Sequence, residues 1–106
     1  NKYRGFAGWI AEDIAEILLR RDPGRLAEAQ AWAEKALNHH RENGMRLLLG
    51  RDYLLLAELA KARGTPESAR DRLAQAVAIF QECGAEGYLK KAKKEWIHQA
   101  SLSMEK

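Results

Sequence analysis

The sequence predicts an all-α protein, with five antiparallel helices stacked as two and a half helical hairpins. Three observations carry that reading. Helix breakers recur at even intervals, at Asp22-Pro23-Gly24, Asn43-Gly44, Gly64-Thr65-Pro66 and Gly84-Ala85-Glu86-Gly87. Between them the apolar residues follow helical period rather than strand alternation. The segments also resemble one another at an offset of forty residues. Composition agrees: Ala, Leu, Glu, Lys and Arg lead, with only 2 Pro and 8 Gly in 106 residues, which favours helix. The length suits one domain, and a 46% hydrophobic share is enough for a core.

The breaks leave helices over roughly 3–21, 25–42, 45–63, 66–82 and 86–103. In the first, Phe6, Trp9, Ile10, Ile14, Ile17 and Leu18 form an apolar stripe. In the second, Leu26, Ala29, Ala33, Ala36 and Leu37 do so. The third carries Leu47-Leu48-Leu49 and Leu54-Leu55-Leu56, apolar on most of its circumference, so it is expected to be buried on nearly every side. The fourth opens on Thr65-Pro66-Glu67-Ser68, an N-cap residue, a first-turn proline and an early acid. Its stripe is Ala69, Leu73, Ala76, Val77 and Phe80. The fifth keeps Leu89, Ala92, Trp96 and Ala100 on one face and is polar elsewhere. The glycines read as punctuation, because glycine supplies the left-handed residue that ends a helix.

Seven pairs match at the offset of forty: Gly24 with Gly64, Gly44 with Gly84, Ala29 with Ala69, Ala33 with Leu73, Ala36 with Ala76, Leu37 with Val77 and Leu49 with Leu89. The repeating unit is thus a helix pair, and stacked pairs bury a continuous core. Residues 1–106 then form a single repeat domain. Residues 1–22 are a half-unit helix, 23–44 and 45–84 the repeat helices, and 85–106 a C-terminal capping helix. The polar outer face of the last helix suits a natural end. The apolar excess of the first predicts further units before it in a longer parent, or a homodimer through it. A start at Asn1 likewise suggests a piece of a longer chain.

The second unit resembles the tetratricopeptide repeat. Tyr53-x2-Leu56-Ala57-x2-Ala60, then Gly64, then Ala69-x3-Leu73-x2-Ala76 carry the likeness. The first unit matches through Gly24, Ala29, Ala33 and Ala36, with Ile17 where a small residue is usual. The third is half a unit, with Trp96 and Ile97 in the Leu-small position. The period of forty is longer than the family's usual value of about 34. In that respect the chain is similar to the extended tetratricopeptide-like arrays at the C-termini of bacterial multidomain regulators. The run from Ala76 to Ala85 looks most like theirs. The resemblance implies a right-handed α-solenoid in a cytoplasmic regulatory or signalling protein.

Several function classes find little support. The net charge is +3, and the one basic run, Lys90-Lys91-x-Lys93-Lys94, is explained by a solvated helix face, so nucleic-acid binding is not expected. No stretch approaches eighteen apolar residues, so no membrane span is expected. One cysteine, Cys83, allows neither a disulfide within the chain nor a Cys-based zinc site. It reads as a small packed thiol. Neighbouring residues on a helix point about 100° apart, so His39 and His40 cannot chelate one ion together. No third ligand stands at the four-residue spacing of a zinc helix. A surface or helix-end role is expected for both, and no metal, cofactor or catalytic residue is assigned. Glu12, Asp13 and Glu16 read as a wet face, and Trp9, Trp32 and Trp96 as core.

The expected function is binding without catalysis. In the resembled family the first helix of each pair lines a concave groove where peptides dock. Carried over, that implies a groove of Arg51, Leu54, Glu58 and Lys61 from the third helix, and Lys91, Lys94 and His98 from the fifth. Ala11, Ile14, Leu18 and Arg21 are the corresponding residues of the first. Lys91 matches one position of the carboxylate clamp of chaperone-binding members, but Leu55 and Glu95 stand where polar or basic residues are needed. The expected partner is a protein or peptide, or another domain of the parent chain. The alternative is a sensor module holding a small effector between helices, which calls for a deep apolar pocket ringed by a few polar groups.

Overall fold

The computed structural model describes the backbone over residues 4–104 and the side chains over residues 10–96. Helix α1 spans Arg4–Arg21, α2 Leu26–Glu42, α3 Arg46–Ala62, α4 Pro66–Cys83 and α5 Glu86–Met104. A short 3-10 turn, Pro23–Arg25, leads into α2. No strand occurs among the described residues.

Three of the four connections are built alike, at a spacing of twenty residues. Gly44, Gly64 and Gly84 all take positive φ, between 66° and 77°, the left-handed conformation in which a side chain is strained. After each, the next residue's N–H reaches back five residues. Met45 donates to the His40 carbonyl, Thr65 to Ala60 and Ala85 to Phe80, each at 2.9 Å. These bonds satisfy carbonyls that the helix end leaves open. The Thr65 hydroxyl also donates to the Ala60 carbonyl, at 3.0 Å, rather than capping α4.

Each helix packs on its neighbour in the chain, and α1 also meets α3. Ion pairs tie the odd-numbered helices together: Arg20 with Glu58 at 2.8 Å across α1 and α3, and Lys61 with Glu95 at 2.8 Å across α3 and α5. Glu34 and Arg72, 3.0 Å apart, tie α2 to α4. The Cα trace measures 49 × 35 × 18 Å, and 18 Å is about two helix diameters between axes and flanks.

Helix α3 is the most enclosed, as its leucines predict, with Leu49 and the run Asp52–Ala57 all buried; Leu47 is the exception and faces out. Gly50 is not punctuation. A Cβ there would lie 2.7 Å from Phe80 Cε1 and 3.0 Å from Ile79 Cγ2, so the missing side chain is what lets α4 approach α3.

Other side chains depart from expectation. Cys83 is exposed instead of packed. Trp96 is 42% exposed, and Trp32 is half-buried under the Lys35 ammonium, 5.1 Å from its ring. Ile10 and Ile17 on α1 are exposed, while Phe6 and Trp9 lie outside the described side chains.

Candidate functional site

Helices α1, α2 and α3 meet around three ionisable side chains with almost no access to solvent: Glu12, His40 and Asp52. His40 sits in the last turn of α2, where its own carbonyl closes the turn through Met45. Its ring Nδ1 lies 2.5 Å from Asp52 Oδ2. With the carboxylate as acceptor, Nδ1 carries the proton and Nε2 is the bare nitrogen. Glu12 Oε1 pairs with the Arg51 guanidinium at 2.6 Å. Glu12 Oε2, His40 Nε2 and Asp52 Oδ1 are buried, and with both carboxyls ionised none of them has a hydrogen-bond partner; a proton on Glu12 lets its carboxyl donate to Asp52. An unpaired buried polar group costs about 1–3 kcal/mol, and His40 Nε2 keeps that cost whichever carboxyl holds the proton.

Burial shifts these groups towards neutrality, because a charge loses its hydration inside the protein. The Glu12 carboxyl is pushed up to about 8, by burial first and then by the neighbouring Asp52; Arg51 opposes the shift. Asp52 is pushed up to about 7, again by burial. His40 is lowered by burial, against the pull of Glu12. The surface role expected for His40 is therefore corrected: its ring is wholly inside the protein. Glu12 likewise belongs to the interior rather than to a wet face, while Asp13 does face solvent.

Above this cluster lies a cleft of about 220 Å³ between α1, α3 and α5. Glu12 and Arg51 form part of its floor, with Leu54 and Leu55 beside them. Glu16, Arg20 and Glu58 line one side, Tyr88 and Lys91 the other. Tyr88 stacks on Phe80, ring centroids 5.3 Å apart, with Arg51 5.9 Å from its face. Of the groove residues expected from the sequence, Arg51, Leu54, Glu58 and Lys91 come together here. Lys61 is drawn off to Glu95, Lys94 is exposed outside the cleft, and the side chain of His98 lies outside the described residues.

Comparison with protein-family models, with curated proteins and with solved structures finds no match to this chain.

Sequence reasoning missed the buried triad because its members come from three helices. A signal for it does exist at the repeat offset. Positions 12, 52 and 92 hold Glu, Asp and Ala, all buried, and positions 40 and 80 hold His and Phe, both wholly buried. The histidine forty residues before the buried Phe80 is the hint that local spacing does not give.

Proposed function

We propose that this chain is an interaction module, two and a half hairpins of a tetratricopeptide-like, right-handed α-solenoid, that holds a segment of a protein partner in the cleft between α1, α3 and α5. The identical turns every twenty residues and the cross-links within the odd- and even-numbered helices support the stacked arrangement. The observation that carries the function is the convergence of Arg51, Leu54, Glu58 and Lys91 with Tyr88 in one cleft.

The lining also says what kind of segment suits it. Arg51 and Arg20 already hold Glu12 and Glu58. Lys91 has no acidic partner among the described residues, so it is the cation left for an incoming carboxylate. Tyr88 and Leu54 supply the apolar anchor that such recognition needs. Six charged side chains line the cleft against three others, which favours a peptide over a small apolar effector. In this reading the module serves a larger cytoplasmic regulatory protein and catalyses nothing. No helix among the described residues is long and apolar enough to cross a membrane.

Panning a displayed random-peptide library against the intact chain tests the reading. Enriched peptides carrying an acidic residue next to an apolar one are expected, with binding weakened roughly tenfold by Tyr88→Ala and by Lys91→Glu. Enriched peptides that bind both variants as tightly as the wild type would place recognition elsewhere.

A further inference from the structure

We infer that Glu12, His40 and Asp52 form a binding site for one divalent transition-metal ion of the zinc class, under the floor of the cleft. The inference stands apart from the peptide reading and does not need it. Each of the three side chains offers a ligand atom within 4.8 Å of the others', and all three are buried. Ligand atoms of a tetrahedral zinc centre with bonds of about 2.0–2.1 Å sit about 3.4 Å apart, so side-chain adjustments of about an ångström close the site.

One imidazole and two carboxylates are ordinary zinc ligands, and they leave a fourth position for water. Magnesium and calcium prefer all-oxygen sets, which the imidazole disfavours. The supporting contacts are those a metal site uses. The Arg51 guanidinium holds one oxygen of Glu12, and an ion shared by His40 Nδ1 and Asp52 Oδ2 takes the place of the proton between those two atoms. His40, wholly buried, also keeps Nε2 without a partner. Glu12 and Arg51 also line the cleft, which gives an ion a way in.

Forty residues on from His40 and Asp52, Phe80 and Ala92 are buried and apolar, whereas the place forty on from Glu12 is Asp52 itself. Replacing a buried ionisable cluster with apolar residues is commonly neutral or stabilising, so packing alone does not call for this one. An ion displaces the proton that burial holds on the carboxyls, and the two carboxylates and neutral imidazole then match a dication, with Arg51 offsetting part of the negative charge.

The test uses the full chain, stripped with a chelator and titrated with Zn²⁺ by calorimetry and with Co²⁺ by visible absorption. One ion per chain is expected, with cobalt bands of a low-coordinate centre and a raised Tm. Glu12→Gln and Asp52→Asn should each weaken binding by at least about tenfold, the scale on which even supporting residues act. His40→Phe should abolish it while keeping the fold, because Phe80 occupies the matching place. His39→Ala should leave it unchanged. Failure of the wild-type chain to bind either ion overturns the inference, whatever the variants do. So does binding that survives His40→Phe or is lost with His39→Ala, which would put the ion outside the triad.

Discussion

Two helix junctions forty residues apart in the sequence differ in chemistry. Where α1, α2 and α3 meet, the interior holds Glu12, His40 and Asp52. Forty residues on, where α3, α4 and α5 meet, the matching residues are Asp52, Phe80 and Ala92. Both are sealed from solvent, and both hang on the same helix-ending turn, closed by the carbonyl of His40 in one and of Phe80 in the other. The backbone therefore sets the depth of these positions and leaves their polarity open. The second junction is built for cohesion: the Phe80 ring packs against the bare Cα of Gly50 and stacks on Tyr88. The first gives up some of that cohesion for groups that can bind.

The largest contrast should come from the apolar junction. Phe80→Ala empties a wholly buried ring site and should cost about 3–5 kcal/mol, read by urea unfolding. His40→Ala should cost less, since the junction it leaves has little apolar packing to lose. Equal losses would mean that the two junctions bear the fold alike.

The polar junction breaks differently, because its members need one another. His40→Phe strips Asp52 of its donor, and Asp52→Ala leaves the His40 ring without its acceptor. The double variant removes both buried orphans and recreates the Phe-and-Ala pattern of the second junction. A double-mutant cycle should give a coupling of about 1–3 kcal/mol, with the double variant more stable than either single one. Additive losses would show that the 2.5 Å contact contributes nothing to stability.

Next in size is Gly50→Ala. Alanine is the better helix former by about 1 kcal/mol, but its Cβ would sit 2.7 Å from the Phe80 ring. Overpacking of that kind should win, giving a net loss of about 1–2 kcal/mol in the same unfolding assay.

Much of this was legible before any coordinates. Gly44, Gly64 and Gly84 place the turns because only glycine takes that φ cheaply, and all five helices begin and end within about two residues of the expected bounds. The enclosure of α3 follows from its leucines. The triad was not legible by local spacing, since Glu12, His40 and Asp52 are brought together only by packing. Gly50 escaped for the same reason: mid-helix, its purpose is set by Phe80, thirty residues away. Cys83 and Trp96 were misjudged because residue type alone does not say which face of the last two helices is covered.

Acidity sharpens the comparison further. Burial raises Glu12 to about 8 and Asp52 to about 7, so the folded chain holds protons that the unfolded chain has released. Those groups stabilise fully below their ordinary values and lose that contribution as pH rises through 7 and 8. His40, lowered by burial and flanked by Glu12, Asp52 and Arg51, has the opposite sign and is silent above its ordinary value of 6.5. The metal-free chain should therefore lose stability from about pH 4.5 up to about 8 and level off above that, with His40 offsetting part of the loss below 6.5. Glu12→Gln should flatten the profile, and calorimetric Tm against pH reads both. The smallest effect belongs to the surface: Lys61→Ala, which breaks the pair with Glu95, should move stability by no more than about 0.5–1 kcal/mol.

The most direct measurement is an anomalous difference map from crystals of the intact chain grown with Zn²⁺. A single strong peak within bonding distance of Glu12, His40 and Asp52, and none beside Phe80 and Ala92, is the predicted result. Peaks confined to His39 or His98, or no ordered zinc at the triad, would contradict the division between a binding junction and a cohesive one.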